Sequence, residues 1–199
     1  MALALRWGGV NSGRGGGDVE IDGFLVSART GDELGFAGLY RLLAGKVAGY
    51  VRGRGVVDVD DVVNEVFLAA FVGLGSFAGE AQAFRSWLFG ITWNKTADWH
   101  RRERRRPAEV DDAESAIAVQ VGGDAEEDAW RDLGASRVEA LLASLTDDQR
   151  DVLLLRVVAD LSLEETARIM GRPVGPVKTL QHRALAALRR NISSGAVSK

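Results

Sequence analysis

The stretch LSLEETARIMGRPVGPVKTLQHRALAALRR, residues 161–190, decides the reading of the fold. Ser162 followed by Glu165 is a capping box, in which hydroxyl and carboxylate satisfy two backbone N–H groups reciprocally, so a helix starts there. Ala167, Gly171 and Val177 fall where a helix-turn-helix needs a small residue at the crossing, a glycine in the turn and a branched apolar residue on the inner face of its second helix. Pro176 fits the first turn of that helix, where an N–H has no partner to lose. Leu180, Ala184 and Leu188 continue the inward stripe from Val177, which leaves Lys178, Thr179, His182 and Arg183 facing outward. A helix anchored on one side and basic on the other suits a DNA major groove; a helical hairpin with a solvated basic face is the plainer alternative.

Outward from this stretch, the 199 residues are enough for two small domains. The chain has no cysteine and only two histidines, which excludes disulfides, thiolate metal sites, histidine-rich zinc sites and a cysteine nucleophile. No uncharged apolar run reaches eighteen residues, so a cytoplasmic protein without membrane insertion is expected. The net charge of −3 conceals segregation. Between Arg85 and Arg106 seven cationic side chains face only Asp98 and Glu103, a local +5, whereas Pro107 to Gly134 sums to −8. Local fields, more than the total, make a nucleic-acid surface.

Residues 1–18 read as a disordered tail, and Asp22 to Thr30 as a short helix. From Glu33 a longer helix carries Phe36, Leu39, Tyr40, Leu43, Val47 and Val51 as its apolar stripe, with Gly53 and Gly55 allowing it to end. DVDDVVNEVFLAAFVGL follows, with Asp58, Asp60 and Asp61 at the positive end of the helix dipole and Val62, Val66, Leu68, Ala69 and Phe71 offered for burial. Asp61 and Glu65 lie four apart, but no matching Glu-x-x-His exists for a carboxylate metal site. The next helix sets Trp93, Asn94, Trp99 and His100 among Arg85, Arg101 and Arg102, with Phe77 in the loop before it; aromatic, amide and basic groups together suit single-stranded bases and phosphate. The acidic stretch 107–133 reads as a flexible linker that lets two halves move semi-independently. A second capping box, Thr146 with Gln149, opens TDDQRDVLLLRVV, whose Val152, Leu153, Leu154, Val157 and Val158 are expected in a small core. Residues 192–199 form a polar tail.

Three of these segments, in this order, resemble a bacterial sigma factor of the extracytoplasmic-function group, the minimal class with only the second and fourth conserved regions. DVDDVVNEVFLAAF is similar to the segment that docks on core polymerase. FRSWLFGITWNKTADWHRR resembles the helix that recognises and opens the minus-ten element, matching at Phe84, Arg85, Trp87, Leu88, Ile91, Asn94, Asp98 and Arg101. Residues 145–190 resemble the region that reads the minus-thirty-five element.

The resemblance implies an all-α protein of two small helical domains, 19–106 and 134–191, the second containing the helix-turn-helix. It implies polymerase docking through Asp58, Asp60, Asp61, Asn64, Glu65 and Phe67, on the beta-prime clamp, with the beta flap as a second polymerase contact. Minus-ten DNA would fall to Phe77, Arg85, Trp93, Asn94, Asp98, Trp99, Arg101 and Arg102. Minus-thirty-five DNA would fall to Arg172, Gly175, Pro176, Lys178, Thr179, Gln181, His182 and Arg183. Promoter DNA and a cognate anti-sigma factor are the other implied partners; no cofactor, metal or catalytic residue is expected.

The chain departs from the family pattern with Pro176 in place of Thr, Thr179 and Leu180 in place of Ser-Arg, Gln181 in place of a common leucine, and Asn64 in place of glutamine. Leu180 is therefore expected to pack inward and push Gln181 toward solvent. The rival from another class is a stand-alone helix-turn-helix regulator with an N-terminal interaction module, which would need no polymerase-docking helix.

Overall fold

A computed structural model describes residues 16–105 and 137–193, and every regular element among them is helical. The N-terminal domain comprises α1 (Gly16–Arg29), α2 (Glu33–Gly53), α3 (Val59–Leu74) and α4 (Ala81–Glu103). The C-terminal domain comprises α5 over 137–143, α6 (Asp147–Leu153), α7 (Leu163–Ile169) and α8 (Val174–Ser193). Two helical domains in this order agree with the all-α expectation, and the acidic stretch 107–133 lies outside the described residues.

The α1–α2 turn pivots on Gly31 at φ +83, and Asp32 then caps α2 by accepting from the Leu34 N–H at 3.1 Å. Leu39, Leu43, Val47 and Tyr50 of α2, Val62 and Val66 of α3, and Phe84, Leu88 and Phe89 of α4 are all buried together. The α3 phase is set by Phe67, whose ring tilts against Tyr40 at 4.7 Å and Phe71 at 5.8 Å. That phase turns Leu68 outward, 66 % exposed, against the expectation that it is buried.

Helix α1 begins six residues before the expected Asp22, and the reason is electrostatic. Asp18, assigned to the tail, is buried in an ion pair with Arg85 at 2.6 Å. Gln82 accepts a further bond from the same guanidinium. Arg85, expected at DNA, is a buried cation, 7 % exposed, whose desolvation is offset by a carboxylate of α1.

Both capping boxes form: Thr146 with Gln149, and Ser162 with Glu165. Past Leu153, helix α6 widens into one π-helical turn, Leu154–Val158. The wider turn keeps Leu154 and Leu155 inside but rotates Val157 to 73 % exposure, correcting its assignment to the core. Asp160 then takes a positive φ of 54, tolerable for a short polar side chain, and redirects the chain into α7. Gly171, at φ +62, makes the helix-turn-helix turn, and Val177 and Ala184, both fully buried, fix the inner face of α8.

The described parts of the two halves pack directly on one another. Val152, Leu154, Leu155, Leu161 and Met170 of the C-terminal domain share one buried cluster with side chains of α2 and α4. Removing one partner of a buried ion pair costs about 3–5 kcal/mol, so Arg85→Ala and Asp18→Asn should each lower the thermal midpoint of the N-terminal domain by several degrees in circular dichroism. A variant Arg85→Ala of unchanged stability would return that guanidinium to the surface. Ser162→Ala should cost about 1 kcal/mol through the lost cap.

Candidate nucleic-acid interface

Three exposed surfaces carry the side chains that the sequence pointed to. On α3, Asp58, Asp60, Asp61 and Asn64 are exposed along the first two turns. Asp58 makes no capping bond; its carboxylate instead accepts from the Trp99 indole N–H at 3.3 Å. Glu65 is half-buried and paired with Lys95 at 3.1 Å and Arg102 at 3.4 Å. The Lys95 hydrogen bond, opposed by burial, holds the Glu65 carboxyl below its ordinary value. Phe67 is only 2 % exposed and belongs to the scaffold beneath this face. Leu68 and Val72, 66 % and 81 % exposed, take its place beside the acids; sequence reading missed them as surface because helix phase depends on which aromatic side chain wins the core.

The second surface is the C-terminal half of α4. Asn94 and Asp98 are exposed, and Arg101 pairs with Asp98 one turn away. Arg102 reaches back to Glu65, so two of the expected DNA-facing groups are tied to the acidic face of α3. Phe77 is half-buried, stacked on Trp87 at 5.0 Å and edge-on to Phe84 at 5.6 Å, with the Arg29 guanidinium 5.6 Å from its ring centroid. His100 lines a cleft with Arg54, Asn94, Arg101 and Arg104. Burial, reinforced by the nearby Arg54 charge, lowers its pKa below the usual histidine value, so it is neutral at neutral pH.

Trp93 is the exception on this helix. It is half-buried, and its indole N–H points to Asp151 of the C-terminal domain at 3.4 Å. Asp151 is 5 % exposed and also accepts from the Tyr50 hydroxyl at 2.7 Å and pairs with Arg54 at 3.0 Å. Burial raises the Asp151 pKa, opposed chiefly by the Arg54 charge, while burial and then the Asp151 charge raise that of Tyr50 well above its ordinary value. No local pattern announces this cluster, because Tyr50 stands beside Val51 of the apolar stripe and Asp151 heads an aliphatic run.

The third surface is α8. Lys178, His182 and Arg183 are exposed on the side opposite Val177 and Ala184, as the periodicity predicts. Gly175 and Pro176 are exposed in the first turn, and Thr179 donates to the Gly175 carbonyl at 3.2 Å. Leu180 packs against the core, and Gln181 is half-buried rather than pushed fully into solvent. Arg172 is exposed at the turn and held by Asp148 through contacts of 2.8 and 2.7 Å.

Comparison with known proteins agrees with this arrangement. Residues 36–106 match Sigma-70 region 2 and residues 141–190 match Sigma-70, region 4. The chain is 35 % identical over 183 residues to the ECF RNA polymerase sigma factor SigD of Mycobacterium tuberculosis, covering 86 % of this chain and 84 % of SigD. It is 32 % identical over 165 residues to the ECF RNA polymerase sigma factor BldN of Streptomyces coelicolor, covering 82 % and 62 % of the two chains. The solved structure of CnrH, in complex with the cytosolic domain of CnrY, superposes with a TM-score of 0.64 at 28 % identity, covering 87 % of this chain and 98 % of CnrH. No helix among the described residues is long and apolar enough to cross a membrane. With both conserved regions present in order on an all-helical frame, the chain belongs to the extracytoplasmic-function group of bacterial RNA polymerase sigma factors, non-catalytic subunits that direct the polymerase to promoters.

Proposed function

We propose that this sigma factor docks on the beta-prime clamp through Asp60, Asp61 and Asn64 of α3, with Leu68 and Val72 as the apolar part of the face. Exposed acids beside exposed aliphatics supply charge selectivity and apolar area on one helix surface. The C-terminal domain meets the beta flap. Helix α4 reads and opens the minus-ten element with Asn94, Trp93 and the arginines beyond them, and α8 reads the minus-thirty-five element with Lys178, His182 and Arg183. An anti-sigma factor holds the chain inactive, a reading supported by the solved complex of the similar CnrH with CnrY. The work takes place in the cytoplasm, where core polymerase is found.

The observation that carries this reading is the opposition on α8, where fully buried Val177 and Ala184 hold one side while Lys178, His182 and Arg183 stand exposed on the other. Holoenzyme reconstituted from purified core and this chain, transcribing a randomised-promoter library, tests it. Enriched minus-ten and minus-thirty-five elements are expected only when the chain is present, and transcripts with no enriched element would reject it.

Asp61→Lys should weaken core association in a pull-down without changing the circular dichroism spectrum, because charge reversal on an exposed face adds repulsion and removes no packing. Asn94→Ala should lower open-complex formation in permanganate footprinting more than closed-complex binding, since an unstacked base is held by side-chain contacts. Arg183→Ala should cost about 1–3 kcal/mol and relax preference at one base pair, whereas Lys178→Ala should weaken all variants evenly and reduce the salt slope by about one. A promoter-variant binding matrix at several salt concentrations separates the two, and identical profiles would remove Arg183 from base readout.

A further inference from the structure

Helix α1 lies ahead of the region 2 match, which begins at residue 36, yet it grips the leading end of α4. Asp18, Asp22 and Arg29 fall on one stripe of α1, at spacings of four and seven. Asp18 holds Arg85, as described above. Asp22 accepts from the Ala81 N–H at 2.6 Å. Ala81 opens α4, and Glu80 at the N-cap position makes no capping bond with its own side chain, so the cap of α4 comes from α1. Arg29 donates to the Gly79 carbonyl, and its guanidinium lies 5.6 Å from the Phe77 ring centroid.

We propose that Asp22 and Arg29 are positioning residues of the minus-ten site, which preset the loop 75–80 and the first turn of α4 for an unpaired base. The proposal rests on the reading of α4 as the minus-ten helix. Phe77 anchors this loop: its ring is stacked on Trp87, edge-on to Phe84 and crowded by Gly79, where a Cβ would meet Phe77 Cζ at 2.8 Å. With Phe77 and Gly79 half-buried, the loop turns Ser76, Ala78 and Glu80 outward. An exposed backbone edge over half-buried aromatic rings suits an unstacked base. Pinning that edge from α1 removes in advance the backbone freedom that a base would otherwise have to freeze. Ala81 and Asn94 lie thirteen residues apart on α4, about 20 Å at about 1.5 Å per residue, so the loop and Asn94 hold different nucleotides of the strand.

Arg29→Ala, Asp22→Ala and Asp22→Asn, each checked for fold by circular dichroism, test this in the full-length chain. In reconstituted holoenzyme on a promoter enriched in the library selection, both alanine variants should lower open-complex formation roughly fivefold. Both should also flatten preference at one minus-ten position, distinct from the one altered by Asn94→Ala, and leave minus-thirty-five preference unchanged. Asp22→Asn keeps an acceptor oxygen for the Ala81 N–H and should restore opening to within about twofold, a rescue that loss of charge alone would not give. The salt slope of closed-complex binding should stay the same in Arg29→Ala; a slope reduced by about one would make Arg29 a phosphate contact and overturn the positioning role. In the free chain, amide hydrogen exchange at Ala81 should quicken in Asp22→Ala and not in Asp22→Asn. Unchanged exchange in Asp22→Ala, failure of Asp22→Asn to rescue, or a minus-ten profile untouched by Arg29→Ala would each overturn the proposal. If the unaltered chain enriches a minus-ten element, an unchanged variant profile sinks the positioning role alone. If it enriches none, the reading of α4 falls, and the positioning role falls with it.

Discussion

Asp151 is a carboxylate with almost no access to water, and the relation between the two domains depends on it. Burying such a charge costs several kcal/mol unless it is paired and its lone pairs are filled. Among the described residues the offset comes from across the interface, from a phenol, a guanidinium and an indole. These three donors all lie in the N-terminal domain, so the aliphatic run DVLLL carries an acid that, among the described residues, is satisfied from the other domain. The apolar side chains around it, Leu154 and Leu155 among them, bury against α2 in the same contact.

The same economy of charge organises the functional faces. The contacts between α3 and α4 differ in kind: the Trp99 indole N–H donates a hydrogen bond to Asp58, while Lys95 and Arg102 form ion pairs with Glu65. They brace the acidic α3 against the basic end of α4. The net −3 of the chain thus conceals a local +5 between Arg85 and Arg106, part of which is met by Glu65 of α3.

Membership of the sigma-factor group accounts for the order of the surfaces but not for the role of each matching side chain. Arg85 matches the family's minus-ten helix, yet here it is buried against Asp18. Phe67 matches the docking segment, yet it fills the core under that segment. In both cases a side chain that the resemblance assigned to a partner is buried and packs beneath its exposed neighbours.

Periodicity and capping were enough to read the helix-turn-helix: Ser162, Glu165, Gly171, Val177 and Ala184 each act within a few residues of themselves, and local hydrogen bonding and helical spacing are written in the chain. The exposed Lys178, His182 and Arg183 followed from the same period, and the all-α, two-domain plan followed from the order of the segments. What local pattern could not reach were the partners distant in sequence. Asp18 finds Arg85, and Tyr50 and Arg54 find Asp151, only once the helices have packed. The π-helical turn that exposes Val157 carries no composition of its own, and Leu68 turns outward because Phe67 occupies the α3 core position. Helix phase and long-range ion pairing are settled by competition among side chains for one interior, and that competition is decided by tertiary packing.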